Sequence, residues 1–287
     1  VGEALADILF GKVNPSGKLA ETLPYKLSDT PSYLTFGESE NVEYNEGIFV
    51  GYRYYDMKEM PVAFPFGYGL SYTTFAYSNL KLSQNEMSDS DSITVSVDIT
   101  NTGNIEGKEI VQLYIHDLTN AIRRPIKELK GYDKVSLKPG ETKTISFSID
   151  YRSLAWYNIN LKDWYAKTGD YEILIGASSR DIRLSDKIHL TTSKQLPLNI
   201  HANTTLGELL TDKRTVKYAL EFKKRMDILF GAQNISNDDS ENIDSKEAVS
   251  DAMSDAIVAS MPLRNVITFG LFGKEELQAM IDEMNCL

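Results

Sequence analysis

The chain has 287 residues, 42% hydrophobic and 25% charged, which is enough apolar material for one large domain or two to three smaller ones. Its 30 lysines and arginines stand against 41 aspartates and glutamates; a formal net charge of −11 repels polyanions, so no nucleic acid and no anionic membrane is expected as partner, while small neutral substrates fit. The single cysteine, Cys286, excludes an intrachain disulfide, nothing calls for an oxidising compartment, and no run approaches the roughly 18 apolar residues of a membrane-spanning helix; a cytoplasmic location is the expectation.

In chain order, Val1, Leu5, Ile8 and Leu9 share one face of an opening helix that Gly11 stops, and that stripe is expected to be buried. The helix has no initiator Met and no cap before it, so the expectation is that upstream residues, or another chain, complete it. From Lys12 to about Thr74 the chain is rich in Pro, Gly and aromatic residues and too short to enclose a core alone, like the edge of a larger domain.

Between about Phe75 and Thr192 the apolar period becomes two, the mark of half-buried strands. Ile93, Val95, Val97 and Ile99 alternate with polar residues; Val111, Leu113 and Ile115 alternate with Gln112, Tyr114 and His116; Ile145, Phe147 and Ile149 follow, then Tyr171, Ile173, Ile175 and Ala177. Turn residues at Asn101-Thr-Gly-Asn, Lys138-Pro-Gly and Thr168-Gly-Asp separate them, which predicts an immunoglobulin-like or fibronectin type III-like sandwich over 75–195. After Leu196 the signal is helical. Thr205 and Glu208 have capping-box spacing, and Leu206, Leu209 and Leu210 face one way. Val216, Leu220, Met226, Leu229 and Phe230 suggest a second helix, Ala248, Ala252, Ala256 and Ile257 a third, and Leu277, Met280, Ile281 and Met284 a last one. Residues 231–246 are polar and acidic and read as a solvated loop.

Three segments in the first quarter carry candidate chemistry. Gly11-Lys-Val-Asn-Pro-Ser-Gly-Lys18-Leu19 has the glycines and lysine of a phosphate loop, but five residues part the glycines and Leu19 replaces the Mg²⁺-binding hydroxyl, so a structural turn is the better reading. Tyr44-Asn-Glu-Gly-Ile-Phe-Val-Gly-Tyr-Arg-Tyr-Tyr-Asp56 gathers Tyr44, Glu46, Tyr52, Arg53, Tyr54 and Asp56, types suited to stacking on a sugar ring and bonding its hydroxyls. The competing and favoured reading is anchoring, with Arg53 paired to Glu46 or Asp56 and the tyrosines buried. Phe64-Pro-Phe-Gly-Tyr-Gly-Leu-Ser-Tyr-Thr-Thr-Phe75, which includes Phe66, is read as a tight aromatic connection between domains, ligand stacking being secondary.

Val13-Asn-Pro-Ser-Gly-Lys-Leu with Thr22-Leu-Pro, then the segments around Glu46–Asp56 and Phe64–Phe75, closely resemble the end of the α/β sandwich domain of family three β-glucosidases. Thr100-Asn-Thr-Gly, Glu109-Ile-Val-Gln-Leu-Tyr-Ile, Pro125-Ile-Lys-Glu-Leu-Lys-Gly-Tyr and Leu137-Lys-Pro-Gly-Glu-Thr resemble that family's fibronectin type III-like domain. Thr205-Leu-Gly-Glu-Leu-Leu and Met261-Pro-Leu-Arg are similar to an extension in a bacterial branch. The resemblance implies a mixed multidomain chain: the edge of an α/β sandwich over 1–74, an all-β sandwich over 75–195 and a small all-α tail over 196–287.

It also implies retaining hydrolysis of terminal β-linked glucosyl or related residues of a small-molecule glycoside, with two carboxyls about 5–5.5 Å apart. In the family the nucleophile Asp lies on an N-terminal (β/α)8 barrel in a Ser-Asp-Trp type context, and the acid/base Glu in Ser-Glu-Gly followed by Asp-Arg, so both are expected upstream of this chain. Asn45-Glu46-Gly47 resembles the second pattern only superficially, because Ile48-Phe-Val follows. The expected partners are therefore that missing barrel and the remainder of the α/β domain, in cis or as another chain, and the tail is a candidate for a homo-oligomer contact. The alternative is a non-catalytic carbohydrate- or protein-binding module. No cofactor and no metal are expected: His116 and His189 fall on the outward phase of predicted strands and His201 in a linker. The sequons at Asn203 and Asn234 matter only in a secreted protein.

Overall fold

The computed structural model describes residues 1–37, 40–231 and 256–287, with backbone alone over 227–231. These form two compact units, Val1–Gln195 and Leu196–Leu287.

In the first unit, helix α1 (Gly2–Leu9) ends as expected, Gly11 adopting φ +72° while the Gly11 and Lys12 amides bond back to Ile8 and Asp7 carbonyls. Its apolar stripe is not buried: Val1, Leu5 and Leu9 are exposed and Ile8 is only half-buried, and Phe10 just beyond the helix is 88% exposed, because no described element covers that face. A two-residue strand β1 (Leu23–Pro24) pairs antiparallel with β2 (Val62–Phe64), and between them lies the short helix α2 (Tyr52–Met57).

The sandwich follows. Its five-stranded sheet runs β4 (Glu86–Ser88), β12 (Asp181–Thr191), β11 (Gly169–Ser178), β6 (Gly107–Asp117) and β7 (Glu128–Leu137), with β12 and β4 parallel. The facing sheet runs β3 (Phe75–Leu82), β5 (Ser92–Asn101) and β8 (Thr142–Asp150). Ile93, Val95, Val97 and Ile99 of β5 meet Val111, Leu113, Ile115, Ile173 and Ile175 across one core. Beyond β8 come a four-residue helix, α3 (Tyr151–Leu154), and a separate hairpin of β9 (Trp156–Asn158) and β10 (Asp163–Tyr165). The turn at Asn101 is more than a turn. Its buried amide donates to the Ile105 and Leu137 carbonyls at 2.8 and 3.0 Å and accepts from Thr73 Oγ1 at 2.6 Å.

Strict alternation fails on β6 and β11 for an identifiable reason. Gln112 and Tyr114, on the outward phase, are buried along with Val111 and Leu113 because α2 and the Phe64–Phe75 segment lie on that face. Tyr52, Tyr114 and Leu174 form a second, smaller cluster there, with Phe66, Leu129 and Ile182 against it. A bulge at Ile175–Gly176 shifts the last residues of β11, so Ser178 is buried while Ala177 is only half-buried.

The phosphate-loop look-alike proves structural. Asn14 donates to the Glu106 carbonyl (3.0 Å) and accepts from the Tyr72 amide (2.8 Å), and Lys18 meets Glu109 at 2.8 Å with both side chains nearly buried.

The second unit is helical: α4 (Leu206–Thr211), α5 (Val216–Gly231), α6 (Asn265–Thr268) and α7 (Lys274–Asn285). Thr205 and Glu208 form the expected capping box. The core takes Leu206, Leu209, Phe222, Met226, Leu277, Ile281 and Met284. Leu210 and Leu220 instead point to solvent: the buried face of α5 is set by Tyr218, Ala219, Phe222 and Met226, which leaves Leu220 on the opposite side. Ile257 is likewise exposed. The Leu229 and Phe230 side chains, Ala248, Ala252, Asn234 and residues 232–246 lie outside the described residues. Among the described residues no helix is long and apolar enough to cross a membrane.

Candidate functional site

The segment 44–58 bends twice at glycines in the left-handed region, Gly47 (φ +57°) and Gly51 (φ +58°), the second capping α2. Six residues of helix then turn Tyr52, Tyr55 and Asp56 inward, the i, i+3, i+4 face. Tyr52 stacks on Phe66 at 4.8 Å between ring centres, meets Tyr114 edge-on at 6.0 Å, and its hydroxyl accepts from the Leu129 amide at 2.8 Å. Asp56 meets Lys127 Nζ at 2.8 Å and accepts from Arg180 Nε at 2.9 Å; Arg180 also donates to the Met60 carbonyl. These contacts pin α2 to the outer face of the five-stranded sheet.

Arg53 pairs with neither of its expected partners. It approaches Glu128 of β7 at 3.6 Å, because the helix directs Asp56 into the interface while Glu46 lies on the preceding loop. Glu128 also takes Arg124 at 2.5 Å and Lys130 at 3.7 Å. Burial pushes the Glu128 carboxyl up, but Lys130, Arg124 and Arg53 together outweigh it and hold it below the usual range. Lys130 is pushed down, chiefly by burial, the neighbouring arginines adding to that effect while Glu128 opposes it. Burial likewise raises the Tyr114 phenol, whose hydroxyl donates to Gln112 Oε1 at 2.5 Å.

The outer side of the same segment lines an open depression of about 410 Å³. Asn45, Glu46 and Phe49 come from the loop, Tyr54, Met57 and Lys58 from α2 and its end. Pro31 stands at one edge, and Arg123 enters from the β6–β7 connection. Its guanidinium lies 5.3 Å from the Phe49 ring centre, and Lys58 Nζ lies 5.7 Å from that of Tyr54. The polar groups here offer both donors and an acceptor, and the rings offer apolar surface, a mixture suited to hydroxylated ligands.

Of the residues singled out from sequence, Glu46 and Tyr54 meet in this depression. Tyr52, Asp56 and Phe66 serve the interface with the sandwich, Arg53 joins the Glu128 cluster, and Tyr44 is exposed. Sequence reasoning missed Phe49, Lys58 and Arg123; the two glycines bracketing Phe49 were a usable signal, whereas nothing local marks Arg123. His116 faces Glu172 at 3.3 Å and His189 faces Asp170 at 2.6 Å, each across a strand pair; His116 lines a smaller hollow that adjoins the depression and shares Met57 and Arg123 with it. Among the described residues no group of three His, Cys, Asp or Glu could hold a metal ion.

Residues 1–72 match the glycosyl hydrolase family 3 C-terminal domain and residues 109–179 the fibronectin type III-like domain. The thermostable beta-glucosidase B of Acetivibrio thermocellus is 44% identical over 99% of this chain and 36% of its own length, so the helical tail has a counterpart there. The exo-alpha-(1->6)-L-arabinopyranosidase of Bifidobacterium longum is 43% identical over 63% of this chain and 24% of its own. Among solved structures, the family 3 β-glucosidase of Bifidobacterium adolescentis superposes with a TM-score of 0.68 at 40% identity, covering 76% of this chain and 32% of that one. The chain thus spans about a third or less of the length of these relatives. Two domain matches in the family's order, on a fold that pins the first domain to the sandwich, place the chain in glycoside hydrolase family 3, as the part formed by its C-terminal and fibronectin type III-like domains.

Proposed function

We propose that this chain completes a retaining β-glucosidase-type hydrolase that releases terminal β-linked glucosyl or related residues from small glycosides. The nucleophile Asp, the acid/base Glu, the (β/α)8 barrel and the rest of the α/β domain come from polypeptide outside these residues, in cis or as another chain. The observation that carries this reading is the exposure of large apolar side chains along residues 1–50: Leu34 and Phe36 are 77% and 82% exposed, as bare as Leu9 and Phe10. Exposed apolar surface of that kind marks a binding interface, and nearly two thirds of the Acetivibrio thermocellus relative's own length lies outside the part this chain matches.

The chemistry agrees. Retaining hydrolysis uses two carboxyls about 5–5.5 Å apart, and among the described residues lining the depression Glu46 is the one carboxylate. The chain would therefore shape and support the site without breaking the bond itself.

The test is a chimera in which this chain replaces the matched third of the Acetivibrio thermocellus relative, assayed on 4-nitrophenyl β-glucoside beside the chain alone. Turnover by the chimera and none by the chain is the expected result; a folded chimera without turnover, or turnover by the chain alone, overturns it. The rival reading, a non-catalytic glycan-binding module, draws on the same depression and predicts binding with no turnover in either.

A further inference from the structure

A loop of the sandwich reaches into the depression formed by the 44–58 segment, and it is held there firmly. Arg124, nearly buried, donates to Asp117 at 3.0 Å, to Glu128 at 2.5 Å and to the Leu154 carbonyl at 2.8 Å, and lies over the Trp156 ring at 5.7 Å. Asp117 in turn accepts from the amide and hydroxyl of Thr119 at 2.8 and 2.7 Å. The backbone at the adjoining residue is thereby fixed on three elements, so a ligand of Arg123 meets the cost of ordering its side chain but not that of ordering the loop.

Arg123 itself is exposed and turned toward Phe49. Around it, Lys58 supplies a second donor, Glu46 an acceptor, Asn45 both, and Tyr54 a hydroxyl on a ring. The volume is in the range of small-molecule pockets. Two cations against one carboxylate do not make a strong anion site; alternating donors and acceptors beside aromatic surface match a neutral polyhydroxylated ring, each hydroxyl of which both donates and accepts.

We propose that the sandwich domain contributes Arg123 to a carbohydrate subsite, completed by Glu46, Phe49, Tyr54 and Lys58, that takes a pyranose ring of a neutral β-glucoside. The choice of sugar rests on the function proposed above; the site rests on the geometry.

The experiment titrates the 287-residue chain with cellobiose, followed by saturation-transfer NMR. Saturable binding is expected, with a dissociation constant on the order of millimolar for so open a site. Arg123→Ala should weaken it about tenfold, while Arg152→Ala, whose side chain stacks on Trp164 elsewhere in the sandwich, should leave it unchanged. Because Arg123 is exposed, its variant keeps the parent melting temperature, which separates a lost contact from a lost fold. Absence of binding by the parent chain, or equal affinity in Arg123→Ala, overturns the inference. Turnover by the chimera without such binding sinks the subsite and leaves the proposed function standing. Arg123-dependent binding alongside a folded, inactive chimera does the reverse.

Discussion

Gly67 shows how closely the first segment is fitted to the sandwich. At φ +79° it is in the left-handed region, and a Cβ there would come within 2.1 Å of Gln112 Oε1. Gln112 cannot easily retreat, since its amide donates to the Gly67 and Ala177 carbonyls at 3.2 and 2.9 Å while its oxygen takes the Tyr114 hydroxyl. Gly67→Ala should therefore destabilise by roughly 2–3 kcal/mol, read as a lower denaturant midpoint with unchanged slope. Tyr52→Phe keeps the Phe66 stack but leaves the Leu129 amide unsatisfied, a loss of about 1–2 kcal/mol. Asp56→Ala should cost more, about 2–4 kcal/mol, because Lys127 is then a nearly buried cation without its carboxylate; Arg180, partly exposed, recovers some hydration. Chemical denaturation of the three variants orders them, and a neutral Asp56→Ala would show that α2 is not held as described.

At the scale of elements, period two made the strands legible, and Ile93 to Ile99 of β5 lie where alternation puts them. It misplaced Gln112 and Tyr114 because alternation describes a sheet with one wet face, and this sheet has both faces covered over β6. The depression was half legible. Glu46 and Tyr54 belong to one dense local segment, whereas Arg123 arrives from a loop some seventy residues on, a juxtaposition made only by tertiary folding. The pairing of Arg53 was unreadable for the same reason, its partner Glu128 standing on β7.

The Glu128 cluster also gives these elements a pH signature. The folded-state pKa of Glu128 is lowered from the ordinary 4.5, so its stabilising contribution is complete above that value and is lost as pH falls below it. Glu128→Gln, which strands Arg124, Lys130 and Arg53 without their common carboxylate, should cost about 3 kcal/mol near neutrality, and the gap to the parent protein should close as the solution is taken below that pKa. Melting temperatures of both proteins across the acid range test this; a gap that stayed constant would mean that the carboxylate's charge contributes nothing.

For the molecule as a whole, the two units solve their packing differently. Leu196–Leu287 gathers its apolar residues around Phe222, Leu277 and Met284, and the sandwich gathers its own between two sheets. Residues 1–50 do neither: their polar contacts run to the sandwich through Asn14 and Lys18, while their large apolar side chains stay on the surface. On the proposed function, the bare side of this segment is half of an interface whose other half is the remainder of a hydrolase.

Amide hydrogen exchange across residues 1–50, compared between the chain alone and the chimera with the Acetivibrio thermocellus relative, reads that claim most directly. Backbone amides of Val1–Phe10 and of the stretch around Leu34 and Phe36 should exchange fast in the chain and become strongly protected in the chimera. Equal protection in the two would show that this segment is already complete by itself and would contradict the account.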